Sequence, residues 1–162
     1  MNPWQKEKWK DVLDYPNHQY RHGLRLRFDK GVDPVLKEEC KKFAVWLRRE
    51  YFFPIRVPIY FKNKIKLLCM DGDTAYGTCF LPYSYQDEPY IRIAVGDFDT
   101  LRMNRGEKDA VLSIIHSIAH ELTHYFQWIN NEQLTPIGEE HQSTRCANYI
   151  TEQYIDYLYK SE

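Results

Sequence analysis

A chain of 162 residues, 43% of them hydrophobic, is long enough to build one domain with a proper core, and its 13 Tyr, 8 Phe and 4 Trp exclude a disordered polymer. A net charge of −1 leaves no strong electrostatic footprint for nucleic acid or a membrane surface, and no stretch approaches ~20 apolar residues. Met1 to Leu13 lacks the hydrophobic run of a secretory signal, so the expected setting is cytoplasmic with reduced thiols.

Asn2 to Leu13 reads as a short helix carrying Trp4, Trp9 and Leu13, and Asp14 to Asp29 has no clear periodicity. Residues 1–30 are therefore a candidate N-terminal extension or pro-segment, able to lie across a cleft; Arg21, Arg25 and Arg27 read as a solvated face. Asp33 followed by Pro34 marks a helix start, and Leu36, Cys40, Phe43, Ala44 and Leu47 keep helical spacing to about Arg49.

From Arg56 the period changes to two. Val57-Ile59-Phe61, Ile65 to Met70, Thr74 to Leu81 and Tyr90 to Val95 read as a meander of short antiparallel strands, with the Asp71-Gly72-Asp73 turn between two of them. Cys40, Cys69, Cys79 and Cys146 form no C-x-x-C pair, which leaves a cysteine metal or redox site unsupported; Cys69 and Cys79 can face one another across strands, but nothing requires a bond. Gly96 to Gly106 connects to a long helix from Glu107 to about Asn130. Thr135 and Pro136 then open a final helix to about Lys160.

The long helix carries the chemistry. His120-Glu121-Leu122-Thr123-His124 is an HExxH motif, and two histidines four apart lie one turn apart on the same helical face. Both can reach one zinc ion, while Glu121 reaches a zinc-bound water as general base. Val111, Ile115, Ile118, Leu122, Phe126 and Ile129 form the opposite, apolar stripe. His116 extends the histidine row, but one helix face rises ~12 Å over that span, too far for three ligands to one tetrahedral ion.

A catalytic site needs a third protein ligand and an open position. On the final helix Ala147, Thr151, Tyr154 and Leu158 fall within about 40° of Glu140, whereas His141 and Glu152 point away by about 100° or more. This favours Glu140, then Glu139, then His141.

HELTH, fifteen intervening residues, and then Glu140-His141-Gln142-Ser143 resembles the gluzincin arrangement, most nearly the small minigluzincins. Ser143 and Cys146 stand where a related pattern of small intracellular metallopeptidases has alanine and an aromatic residue. The resemblance implies an α+β, minimal zincin-like fold: a small, mostly antiparallel twisted sheet, a backing helix, an active-site helix and a C-terminal glutamate helix. It implies a zinc metallopeptidase acting on a peptide or protein, with metal ligands His120, His124 and Glu140 and the base Glu121. In zincins the strand nearest the cleft pairs with the substrate; Tyr90, Arg92 and Ala94 of the last strand are the candidates here. Tyr83 and Tyr85 are candidate oxyanion donors. The alternative is a latent or regulatory protein that keeps the metal without general proteolysis.

Overall fold

The computed structural model describes every residue except Met1, Pro16, Met70 and Glu162. Met70, the expected end of a strand, thus lies outside the described residues. The architecture is mixed α+β: α1 (Trp9–Val12), β1 (Leu24–Phe28), α2 (Pro34–Glu50), β2 (Val57–Lys62), β3 (Leu67–Leu68), β4 (Thr74–Ala75), β5 (Gly77–Phe80), β6 (Tyr90–Ala94), α3 (Phe98–Arg105), α4 (Glu107–Ile129) and α5 (Pro136–Lys160).

The capping chemistry of α2 and α5 is as the sequence predicts. The Asp33 carboxylate accepts from Val35 N, the Thr135 hydroxyl accepts from Gly138 N, and proline takes the first helical position each time. α2 buries Leu36, Cys40, Phe43, Ala44 and Leu47, and α4 buries its whole stripe from Val111 to Ile129.

The main sheet has the order β1-β2-β6-β5. β5–β6 and β3–β4 are antiparallel, as in a meander, but β1–β2 and β2–β6 are parallel. The parallel pairs arise because α2 carries the chain back between β1 and β2, and because β3 to β5 intervene before β6. β1 lies within Asp14 to Asp29, for which the sequence predicts no regular element. Its Leu24-Arg25-Leu26-Arg27-Phe28 alternation is the signal, with Arg25 and Arg27 exposed on its outer face.

β6 is an interior strand, so the expectation that Tyr90, Arg92 and Ala94 present a free backbone edge to substrate is corrected. Tyr90 and Arg92 pair with β5 on one side, and Arg92 and Ala94 with β2 on the other. The sheet edge beside α4 is β5.

The N-terminal residues fill core. Trp4 is buried against Phe126 and Tyr51, at centroid distances of 4.7 and 5.0 Å, and its Nε1 donates to Thr123 Oγ1. Asn130, buried at the end of α4, donates to Pro3 O and accepts from Trp9 N. These tertiary bonds restrict the helix expected over Asn2 to Leu13 to the single turn of α1. α3 occupies part of the expected Gly96–Gly106 connection, packed through the buried Phe98.

Candidate metal centre

α4 and α5 form a helical hairpin whose turn uses the left-handed backbone of Asn131, at φ 49°. The hairpin brings the second half of α4 against the first turns of α5. Glu140 then faces both histidines: its Oε2 lies 3.2 Å from His120 Nε2 and its Oε1 3.0 Å from His124 Nε2. Ligand atoms of the three residues all fall within 4.8 Å of one another. Tetrahedral ligands at zinc distances stand about 3.3 Å apart, so this donor set fits such an ion with little adjustment.

Side-chain bonds orient the ligands. Gln127, only 5% exposed, lies at hydrogen-bond distance from His124 through Oε1, which is 3.0 Å from Nδ1. A proton on Nδ1 leaves the Nε2 lone pair facing Glu140, the tautomer a metal ligand needs. The same amide donates to Glu139 O and Gln142 Oε1, tying α4 to the first turns of α5. Ser143 is fully buried beneath His124, its Oγ 3.4 Å from both ring nitrogens and donating to Glu139 O. Burial and the neighbouring His124 lower the pKa of His120, which favours the neutral, ligating imidazole.

Glu121 sits beside this cluster on the face turned to β5. It is 8% exposed, and burial, followed by the charge of Glu140, pushes its carboxyl up to about 8. Strand β5 comes close because residue 77 is glycine: a Cβ there would stand 3.1 Å from Glu121 Cγ and 3.2 Å from Ile93 Cδ1. Cys79, on the same strand, has its thiol pushed well up by burial and by Glu121, which makes it a poor nucleophile. All four cysteines are free.

The other sequence candidates fall outside the cluster. Glu139 contributes its backbone carbonyl to Gln127, and His141 is exposed. His116 bonds through Nε2 to Asn148 Oδ1 at 2.8 Å, a second tie between α4 and α5. Tyr83 is fully exposed, and the Tyr85 hydroxyl donates to Trp128 O. Gln127, Ser143 and Gly77 carry roles that the sequence signals only weakly, as polar or small residues at positions where packing would favour apolar ones.

No family model, curated protein or solved structure matches the chain. Donor geometry and local chemistry therefore carry the functional reading. Among the described residues, no helix is long and apolar enough to cross a membrane.

Proposed function

We propose that this chain is a zinc-dependent peptidase of the gluzincin type, with a minimal zincin-like fold, acting on peptide or protein substrates in the cytoplasm. One observation carries the reading: His120, His124 and Glu140 converge within 4.8 Å, and a buried acid, Glu121, stands next to them. Two imidazoles and one carboxylate from protein leave a fourth position open, which distinguishes a catalytic zinc site from a closed structural one.

His120 and His124 would hold the metal through Nε2 and Glu140 through its carboxylate. Zinc bound there supplies a Lewis acid that polarises the scissile carbonyl and acidifies water. Glu121 takes the proton of the attacking water and can return it to the leaving amine. Its burial sets this up: the carboxyl is protonated in the metal-free site, and a nearby dication favours the carboxylate, so the base form accompanies metal occupancy.

An extended peptide would lie along the outer edge of β5 by backbone pairing. Gly77 keeps that edge close to Glu121. Tyr90 and Arg92 act one strand further in, where Tyr90 stacks on Phe80 at 5.0 Å and Arg92 Nε donates to Thr78 Oγ1.

The test pairs elemental analysis with peptide cleavage. Near one zinc per chain, lost in Glu140→Ala and kept in Glu121→Gln, with cleavage abolished in both variants, supports the peptidase. Zinc without cleavage in the wild type would favour the latent, regulatory reading, and absence of zinc would refute both.

A further inference from the structure

The two faces of the main sheet differ in chemistry. Leu24, Ile59, Ile91 and Ile93 alternate onto the inner face, where they are buried in one core with α2 and α4. Gly77 shares that face, against Glu121. The alternate positions make up the outer face. One row crosses all four strands as Arg27, Tyr60, Arg92 and Thr78, and Tyr90 is paired with Phe80 in the next.

Three aromatic rings on this outer face touch one another. Tyr90 stacks on Phe80 at a centroid distance of 5.0 Å and meets Tyr60 edge-on at 6.2 Å. The rings of Tyr90, Phe80 and Tyr60 nevertheless belong to residues that are 37, 41 and 39% exposed. Single exposed apolar side chains are ordinary, but a contiguous aromatic cluster across three strands marks a surface that meets a partner.

Arginines flank the rings. Arg25 and Arg27 are exposed on β1 and donate to the backbone carbonyls of Leu24 and Leu26. Arg92, between Tyr60 and Thr78, donates to Thr78 Oγ1 and Leu68 O. Among the described residues none of these three pairs with a carboxylate, because the acids that adjoin the strands are taken up by other cations: Glu88 by Arg21 and Arg56, and Asp29 by Lys62. The net charge of −1 for the whole chain conceals this local excess of positive charge.

We propose that the outer face of the sheet is a docking surface for single-stranded nucleic acid, with bases stacked on Tyr60, Tyr90 and Phe80 and phosphates held by Arg25, Arg27 and Arg92. A single strand offers an open π-face at each base and a negative charge at each phosphate, which matches rings interleaved with unpaired cations. A duplex keeps its base faces closed, and an acidic peptide would engage the arginines but leave the rings without a partner. Neighbouring strands stand ~4.8 Å apart, so the cluster accommodates about two or three bases. The surface lies across the sheet from Glu121 and is independent of the peptidase reading.

The test is fluorescence anisotropy of a labelled oligothymidylate of about ten nucleotides, titrated with the full chain at about 50 mM salt. Binding should be saturable, tighter than to a duplex of the same length, and should weaken with salt at a log–log slope of about −2, the release expected for three phosphate contacts to a single strand. Tyr60→Ala should lower the affinity about fivefold or more without changing that slope, while Tyr60→Phe keeps the affinity. Arg27→Gln should make the slope shallower by about 0.7. Photocrosslinking a 4-thiothymidine oligonucleotide to the wild type locates the surface without any variant, with adducts expected at Tyr60, Phe80 or Tyr90. Absence of saturable binding, equal affinity for the duplex, or adducts elsewhere would overturn the proposal. Poly-glutamate displacing the probe as well as unlabelled oligothymidylate does would also overturn it, and would assign the face to an acidic peptide.

Discussion

Without metal, the protein should lose stability as pH rises through neutrality, and Glu121 should be the cause. Burial holds its carboxyl at about 8 against an ordinary value of 4.5. Between those values the native state keeps a proton that the unfolded chain has released, so the unfolded state binds fewer protons and stability falls with rising pH. The contribution is intact below the unfolded value and is lost progressively as pH climbs towards the folded one. At 1.36 kcal/mol per pH unit, the penalty reaches about 1.4 kcal/mol near pH 5.5 and about 4 kcal/mol near pH 7.5, as upper bounds. Glu121→Gln keeps the shape and removes the titration. Urea unfolding followed by Trp fluorescence, in excess chelator, should therefore show the variant gaining on the wild type by about 2.5 kcal/mol between those two pH values. His120 acts in the opposite sense, because its lowered pKa costs stability as pH falls, but it is common to both proteins and cancels in the difference. Parallel pH curves for the two proteins would refute the account of Glu121 as a buried acid.

Gln127→Ala should weaken zinc binding by about 10- to 100-fold, read by competition with a chromophoric chelator, because His124 loses the group that fixes its tautomer. In Gly77→Ala the new methyl meets Glu121 and Ile93 at 3.1–3.2 Å, so cleavage should fall while zinc content holds. Trp4→Ala should cost about 3–5 kcal/mol in urea unfolding, since a buried ring and its bond to Thr123 are both lost. Removing residues 1–8 should likewise destabilise the chain rather than activate it; a gain in cleavage with unchanged stability would show the segment to be a cover after all.

Local chemistry made much of this protein legible from its residues. The ends of α2 and α5 follow from Asp33-Pro34 and Thr135-Pro136, because capping bonds form within a few residues. The inward stripe of α4 and the shared face of His120 and His124 follow from helical periodicity alone. Glu140 was reachable by phase on α5, since a rigid helix fixes which residues share its packed face.

What pairs with what across the fold was not legible. Strand order depends on which edges meet after α2 and the β3–β5 segment have folded back, and alternation along Tyr90–Ala94 is the same for an interior strand as for an edge. Only the assembled sheet put β5 beside Glu121 and gave Gly77 its purpose. The helix expected over Asn2 to Leu13 shrinks to one turn because the order of that segment comes from Thr123, Phe126 and Asn130, more than a hundred residues away. The sequence by itself determined α2, α4 and α5 and the metal-ligand candidates, whose causes are local. The tertiary structure alone decided the free edge, the raised Glu121 carboxyl and the bonds that orient His124, because each depends on groups brought together from distant parts of the chain.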